Sequence, residues 1–175
     1  MKTKSQIDPQ AKFRAGSILK PFISTVILQL MEDGKLSLDD QLPELLSAET
    51  AGLFEYGNSI TLKMLLNHTS GIGEWVGDYE SIVVKHSMDK VWQEKEFLDL
   101  AVKAGTNFKP GESYEYNNTE FTLLGMIIER KTGISWRENV RQRIFAKLEL
   151  KNTLLPEPGN LKMPGSYLNG YETFS

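Results

Sequence analysis

Residues 17–33 read SILKPFISTVILQLMED, and the apolar positions Leu19, Phe22, Ile23, Val26, Ile27 and Leu30 recur at a helical period. Gly34 comes next, where a C-cap glycine belongs, so the stretch is a helix with one buried face. Its apolar run, 22–31, is about half the length of a membrane span and contains Ser24, Thr25 and Gln29, which marks a core helix. Beyond it the same period returns in four segments. Residues 60–66 form a short helix with Thr61 as N-cap. Residues 89–103 carry Val91, Trp92, Phe97, Leu98 and Val102 on one stripe, closed by Gly105; residues 120–131 are strongly apolar and stop at Gly133. Ser135-Trp136-Arg137-Glu138 reads as a capping box opening a last helix, with Trp136, Val140, Ile144 and Leu148 on one face. Between these lie a turn and short helical piece at 36–46, a surface loop at 71–80, the turn Lys109-Pro110-Gly111-Glu112 and a polar loop at 114–119. Residues 1–16 and 151–175 read as irregular chain, and no strand pair stands out.

A chain of 175 residues with 40% hydrophobic content, no cysteine and net charge −3 reads as one globular domain, 1–175. That excludes a disordered chain, a disulfide scaffold and a thiolate zinc site. Twenty Lys plus Arg against 23 Asp plus Glu, without a basic cluster, speak against a nucleic-acid partner. No metal or cofactor is expected. Residues 1–16 lack the apolar core of a signal peptide, the pattern of a cytoplasmic chain, a mature form or a fragment.

Ser17 and Lys20 open the first helix at i and i+3, where their side chains can meet. A serine hydroxyl becomes a nucleophile once a base takes its proton, and the helix N-terminus both disfavours a protonated Lys20 and favours an oxyanion beside the Ser17 N–H. The same spacing also suits an N-cap serine with a solvated lysine.

The segments Phe13-Arg14-Ala15-Gly16-Ser17-Ile18-Leu19-Lys20-Pro21-Phe22, LMEDGKLSLDD at 30–40, LKMLLNHTSG at 62–71, and Phe108-Lys109-Pro110-Gly111 leading to Tyr116-Asn117-Asn118 resemble, in order, the serine β-lactamase and penicillin-binding-protein superfamily. Tyr116-Asn117-Asn118 is similar to the Tyr-x-Asn motif of class C β-lactamases, D-alanyl-D-alanine carboxypeptidases and related esterases. The resemblance runs from about Ile7 to Thr153. It implies an SxxK acyl-serine hydrolase in which Ser17 is acylated, Lys20 is its proton partner, Tyr116 is the second acid/base member, and Asn118 holds Lys20 and the substrate. It also implies a small-molecule or peptide acyl substrate (a β-lactam, a D-Ala-D-Ala peptide or an ester) and an extracytoplasmic setting. A phenol of ordinary pKa about 10 can serve as a base near neutrality only beside cations such as Lys20.

The family's third motif, Lys-Thr-Gly or His-x-Gly on a strand, has a literal match in Lys131-Thr132-Gly133. That match ends an apolar helix fifteen positions after Tyr116 and reads as a C-cap. The resemblance therefore implies a mainly α chain: the helical region of the β-lactamase/transpeptidase-like fold, with most of its β-sheet absent. Self-association through the surface that sheet would cover is expected. The alternative is a noncatalytic helical module.

Other residues read as structural. His68-Thr69-Ser70-Gly71 is a helix-ending turn, His86 stands alone, Asp39 and Asp40 cap rather than pair, and Trp75, Trp92 and Trp136 are core and loop aromatics.

Overall fold

The computed structural model describes residues 8, 10–76, 90–160 and 162–168. Helix α1 (Leu19–Glu32) is entered through a 3₁₀ turn at Gly16–Ile18, so Ser17 lies in that turn rather than capping the helix. Pro21 is tolerated because it sits in the first turn, where its missing N–H breaks no ladder bond. Short helices α2 (Leu42–Leu45), α3 (Ala48–Gly52) and α4 (Leu62–Leu66) come next along the chain, the last capped by Thr61 as its sequence predicts.

Helix α5 (Glu94–Ala104) begins later than residue 89, because Gln93 and Glu96 close a capping box there. Helix α6 (Asn118–Thr132) begins two residues before the expected 120, because Asn117 accepts the Glu120 N–H. Helix α7 (Trp136–Val140) continues into a π turn, Arg141–Phe145.

Helix α1 packs on α6 and α7, and α4 and α5 pack on α6 from other sides, which makes α6 the central strut. Val26, Ile27 and Leu30 of α1 meet Leu123, Leu124, Ile127 and Ile128 of α6 and Val140 of α7, all at 0% exposure. Each such aliphatic side chain contributes roughly 1.5–3 kcal/mol by burial. Phe22 is half-buried, its ring edge-on to Phe145 at 5.4 Å.

Leu148 departs from the expected face: it is 65% exposed while Ile144 is 5% exposed. The π turn explains the break, since Ala146 N–H bonds back five residues to Arg141 and rotates the positions after it out of the α-helical register.

The expected surface loop at 71–80 is corrected over its first part: Gly71, Ile72 and Gly73 are buried, and 77–80 lie outside the described residues. A Cβ on Gly73 would come within 2.4 Å of the Gly105 carbonyl oxygen, so only glycine fits that approach to α5.

Among the described residues β-structure amounts to isolated bridges, in keeping with a mainly α chain. One of them is parallel, Lys12 with Tyr167, with Lys12 N–H donating to Ser166 O and Leu168 N–H donating to Lys12 O. No described helix is long and apolar enough to cross a membrane.

Candidate active site

The 3₁₀ turn at the head of α1 and the N-terminus of α6 face each other, bringing Ser17, Lys20, Tyr116 and Asn118 together. Tyr116 Oη donates to Ser17 Oγ at 2.6 Å, and Lys20 Nζ donates to the same oxygen at 3.3 Å. Lys20 Nζ also donates to Asn118 Oδ1 at 2.5 Å and stands 4.5 Å from the centre of the Tyr116 ring. One hydroxyl oxygen thus has an ammonium and a phenol on it, and the ammonium is tethered from α6.

Burial pushes the Tyr116 phenol up, but the Lys20 and Ser17 hydrogen bonds and the Lys20 charge outweigh it, so its pKa is lowered from 10. A stabilised phenolate beside a serine hydroxyl is an arrangement that can take the serine's proton.

Asn118 is aimed by a residue that the sequence pattern did not flag. Glu74 Oε2 accepts both the Asn118 backbone N–H (2.5 Å) and its side-chain Nδ2–H (3.0 Å), which turns Oδ1 toward Lys20. The signal was the glycine pair around Ile72, which marks a backbone packed too closely for solvent. Asn117 Nδ2 donates to Ile72 O at 2.6 Å, and Thr119 Oγ1 donates to Gly73 O at 2.8 Å, stitching this segment to the start of α6.

The turn at 68–71 is also more than a helix stop. Glu120, 1% exposed, accepts Ser70 Oγ–H at 2.5 Å and Ser70 N–H at 3.2 Å on Oε1, and its Oε2 lies 2.6 Å from His68 Nδ1. Burial raises the Glu120 carboxyl to about 8, against the Ser70 hydrogen bonds, and burial lowers His68.

Lys131 lies in the last turn of α6, roughly 20 Å from Asn118 at 1.5 Å rise per residue. Gly133 takes the left-handed conformation, φ 75°, of a C-cap, as its sequence predicts.

Asp40 closes a turn by accepting Ser37 N–H at 2.8 Å rather than capping a helix, and α2 takes Gln41 as its N-cap instead. His86 lies outside the described residues. Trp75 and Trp92 pack around Phe97, at 4.6 and 5.7 Å between ring centres. With Trp136 and Phe121 they line a cavity of about 430 Å³ that opens onto Ser17 and Lys20, a size that suits a small ligand. Among the described residues no group of His, Asp or Glu is arranged to hold a metal ion.

Comparison with known proteins gives the family and the fold. The Beta-lactamase family model matches residues 1–170. Penicillin-binding protein 4 of Amycolatopsis lactamdurans is 32% identical over 83% of this chain, which spans 36% of that protein. The crystal structure of a D-stereospecific amidohydrolase from Streptomyces sp. superposes with TM-score 0.73 at 36% identity, over 79% of this chain and 42% of its own. The D-amino acid amidase of Ochrobactrum anthropi SV3, complexed with L-phenylalanine amide, superposes with TM-score 0.70 at 30% identity, over 85% of this chain and 39% of its own.

Proposed function

This chain belongs to the beta-lactamase family, and we propose that it is the helical, acylating portion of a serine hydrolase, with Ser17 as the nucleophile. The observation that carries the reading is the convergence of Tyr116 Oη and Lys20 Nζ on Ser17 Oγ.

In this mechanism Tyr116, as phenolate, takes the Ser17 proton across their contact while Oγ bonds to the substrate's carbonyl carbon. The C=O electron pair moves onto the oxygen, which the Ser17 N–H at the helix head stabilises. The tetrahedral species collapses, the bond to the leaving amine or alcohol breaks, and the proton passes from Tyr116 to that group. Water then attacks the acyl-serine by the reverse proton path. Lys20 keeps the phenolate stable, and Asn118, held by Glu74, fixes Lys20 and faces the substrate. The relatives named for D-amino acid amide hydrolysis and penicillin binding support an amide-type acyl group, a peptide or β-lactam, over an ester.

The test is intact-mass measurement after exposure to a reactive penicillin or a fluorophosphonate. One acyl or phosphonyl adduct is expected on the wild type and none on Ser17→Ala; an adduct that persists in Ser17→Ala overturns the assignment.

A second reading, a noncatalytic helical module that binds a partner, is favoured by Phe13 (59% exposed) and Tyr167 (51% exposed), which stand open to solvent near the parallel bridge. Absence of any adduct on correctly folded protein would select it.

A further inference from the structure

We infer that His68 is the positioning residue for Tyr116, clasping the backbone on both sides of it, and that the clasp holds while Glu120 keeps its proton. This rests on the reading of Tyr116 as the proton partner of Ser17.

The clasp is geometric. His68 O accepts the Glu115 N–H at 3.0 Å, and His68 Nδ1 accepts the Asn117 N–H at 3.2 Å, so the residues before and after Tyr116 are tied to one side chain and its own carbonyl. The His68 ring then lies against the Tyr116 ring, 4.8 Å between centres and tilted by 44°. His68 pays for this placement with a left-handed backbone, φ 62°, uncommon outside glycine and asparagine.

Nδ1 has one lone pair and can accept the Asn117 N–H only while it carries no proton of its own, so in the clasped state the Asn117 N–H and the Glu120 hydroxyl share that lone pair as a bifurcated acceptor. Glu120 decides that. Its Oε1 accepts two bonds from Ser70, which leaves Oε2, 2.6 Å from Nδ1, as the hydroxyl oxygen of a neutral acid donating to histidine. Burial favours this neutral pair from both sides, raising Glu120 to about 8 and lowering His68. The charged and titratable groups around the pair are Lys20 from α1, Glu74 from the segment before α5, and Tyr114 and Tyr116 from the loop before α6. Lys20 disfavours a second positive charge on His68.

When Glu120 loses its proton to solvent, the proton left on His68 moves by way of water from Nε2 to Nδ1 to meet the carboxylate. Nδ1 then becomes a donor facing the donor of Asn117, and the clasp opens. Protonation of His68 at low pH places a proton on Nδ1 and opens it from the other side.

The test monitors the His68 ring nitrogens and the Asn117 amide by ¹⁵N NMR across pH 5 to 10 in Ser17→Ala, so it does not depend on acylation. The expected result at neutral pH is a bare Nδ1 with the proton on Nε2, and a shift of the Asn117 amide with an inflection near pH 8 that disappears in Glu120→Gln, whose amide mimics the protonated acid. A proton on Nδ1 at pH 7, or the same inflection in Glu120→Gln, overturns the proposal.

On the Ser17 chain, fluorophosphonate labelling should slow at least tenfold in His68→Gly, which tolerates the left-handed backbone and keeps the carbonyl but has no side-chain acceptor for the Asn117 N–H. It should recover most of that loss in His68→Asn, whose Oδ1 stands where Nδ1 was. Equal rates in the two variants also overturn the proposal. Failure of Ser17 to label in any form would instead count against the hydrolase reading, while the NMR result still decides the clasp.

Discussion

Tyr116 and Phe13 are both aromatic and both exposed, at 45% and 59%, yet their surroundings differ in kind. The Tyr116 hydroxyl is on Ser17, its ring is on His68, and the peptide groups either side of it are tied to His68. Phe13 is next to Lys12, which is held by a single parallel bridge to Tyr167, and borders a groove of about 470 Å³ lined by Phe22, Phe145, Leu154 and Met163. The difference is where the backbone's hydrogen bonds go. Beside Tyr116 they end on His68, one on its carbonyl and one on its ring, and this wall is tied down without any sheet. Beside Phe13 they end on another extended segment, which is a sheet barely begun. In the proposed enzyme, the first wall carries the nucleophile's chemistry and the second marks where further β-structure, or a second copy, would sit.

The contrast is tested most strongly on the tied-down wall. Covalent labelling by a fluorophosphonate should vanish in Ser17→Ala, and in Tyr116→Phe it should slow by roughly a hundredfold or more, the usual worth of a positioned acid/base group. Labelling of Tyr116→Phe at the wild-type rate, read by intact mass over time, would transfer the base role to Lys20 alone. The next effect down is Glu74→Ala. Two hydrogen bonds from Asn118 to a carboxylate are lost, each charge-assisted bond being worth roughly 1.5–3 kcal/mol; only the side-chain bond aims Oδ1 at Lys20, and the loss of that one bond corresponds to about a tenfold to hundredfold slower labelling. Unchanged labelling would mean that Asn118 is aimed without Glu74.

These residues also mark what the sequence could tell. The apolar period of α1 and α6 was legible because 3.6-residue spacing is local, and Gly133 was legible as a stop because only a left-handed cap requires it. Ser17 and Lys20 could be paired from their i, i+3 spacing, which an N-cap serine also fits, but Tyr116 and Asn118 were reached through resemblance, since no local pattern says that residues about a hundred positions apart will share a hydrogen bond. Glu74 and Glu120 were missed: a lone carboxylate beside an apolar segment says nothing of its partners, which lie 44 to 52 positions away. Leu148 failed for a different reason, because a π turn shifts the helical register without any sequence signal as plain as proline or glycine.

A smaller effect concerns stability against pH. Glu120 is raised from 4.5 to about 8 in the folded chain. A carboxyl raised on folding contributes fully below its unfolded pKa, and that contribution falls as pH rises through the window up to about 8, by about 1.4 kcal/mol per unit at most. Glu120→Gln cannot ionise. The difference in unfolding free energy between wild type and this variant should therefore move by about 1 kcal/mol in the variant's favour between pH 7 and pH 8.5, measured by urea titration. A constant difference would mean that Glu120 ionises in the folded protein as it does in the unfolded one.

The smallest effect belongs to the open face. Phe13, Tyr167 and Leu168 are exposed at 59%, 51% and 38%, and together with the neighbouring groove they leave an apolar surface that water covers poorly. Phe13→Ser removes one exposed ring, so the unfolding free energy of the monomer should change by no more than about 0.5 kcal/mol, as for most surface substitutions. Its effect on association should be larger than on folding, because burial of the same ring between two copies recovers roughly 25 cal/mol for each Å² of apolar surface removed from water. Sedimentation equilibrium should then show a weight-average mass that rises with concentration for the wild type and rises less for Phe13→Ser. Ser17 labelling in the dilute monomer should be alike in the two, since the wall around Tyr116 is held from α6 and the 68–74 segment. If the wild type stays at the monomer mass at every concentration, the open face is not sticky to itself. If Phe13→Ser instead slows labelling as much as Glu74→Ala does, the two regions are not independent and the tied-down wall draws part of its order from the terminal segments.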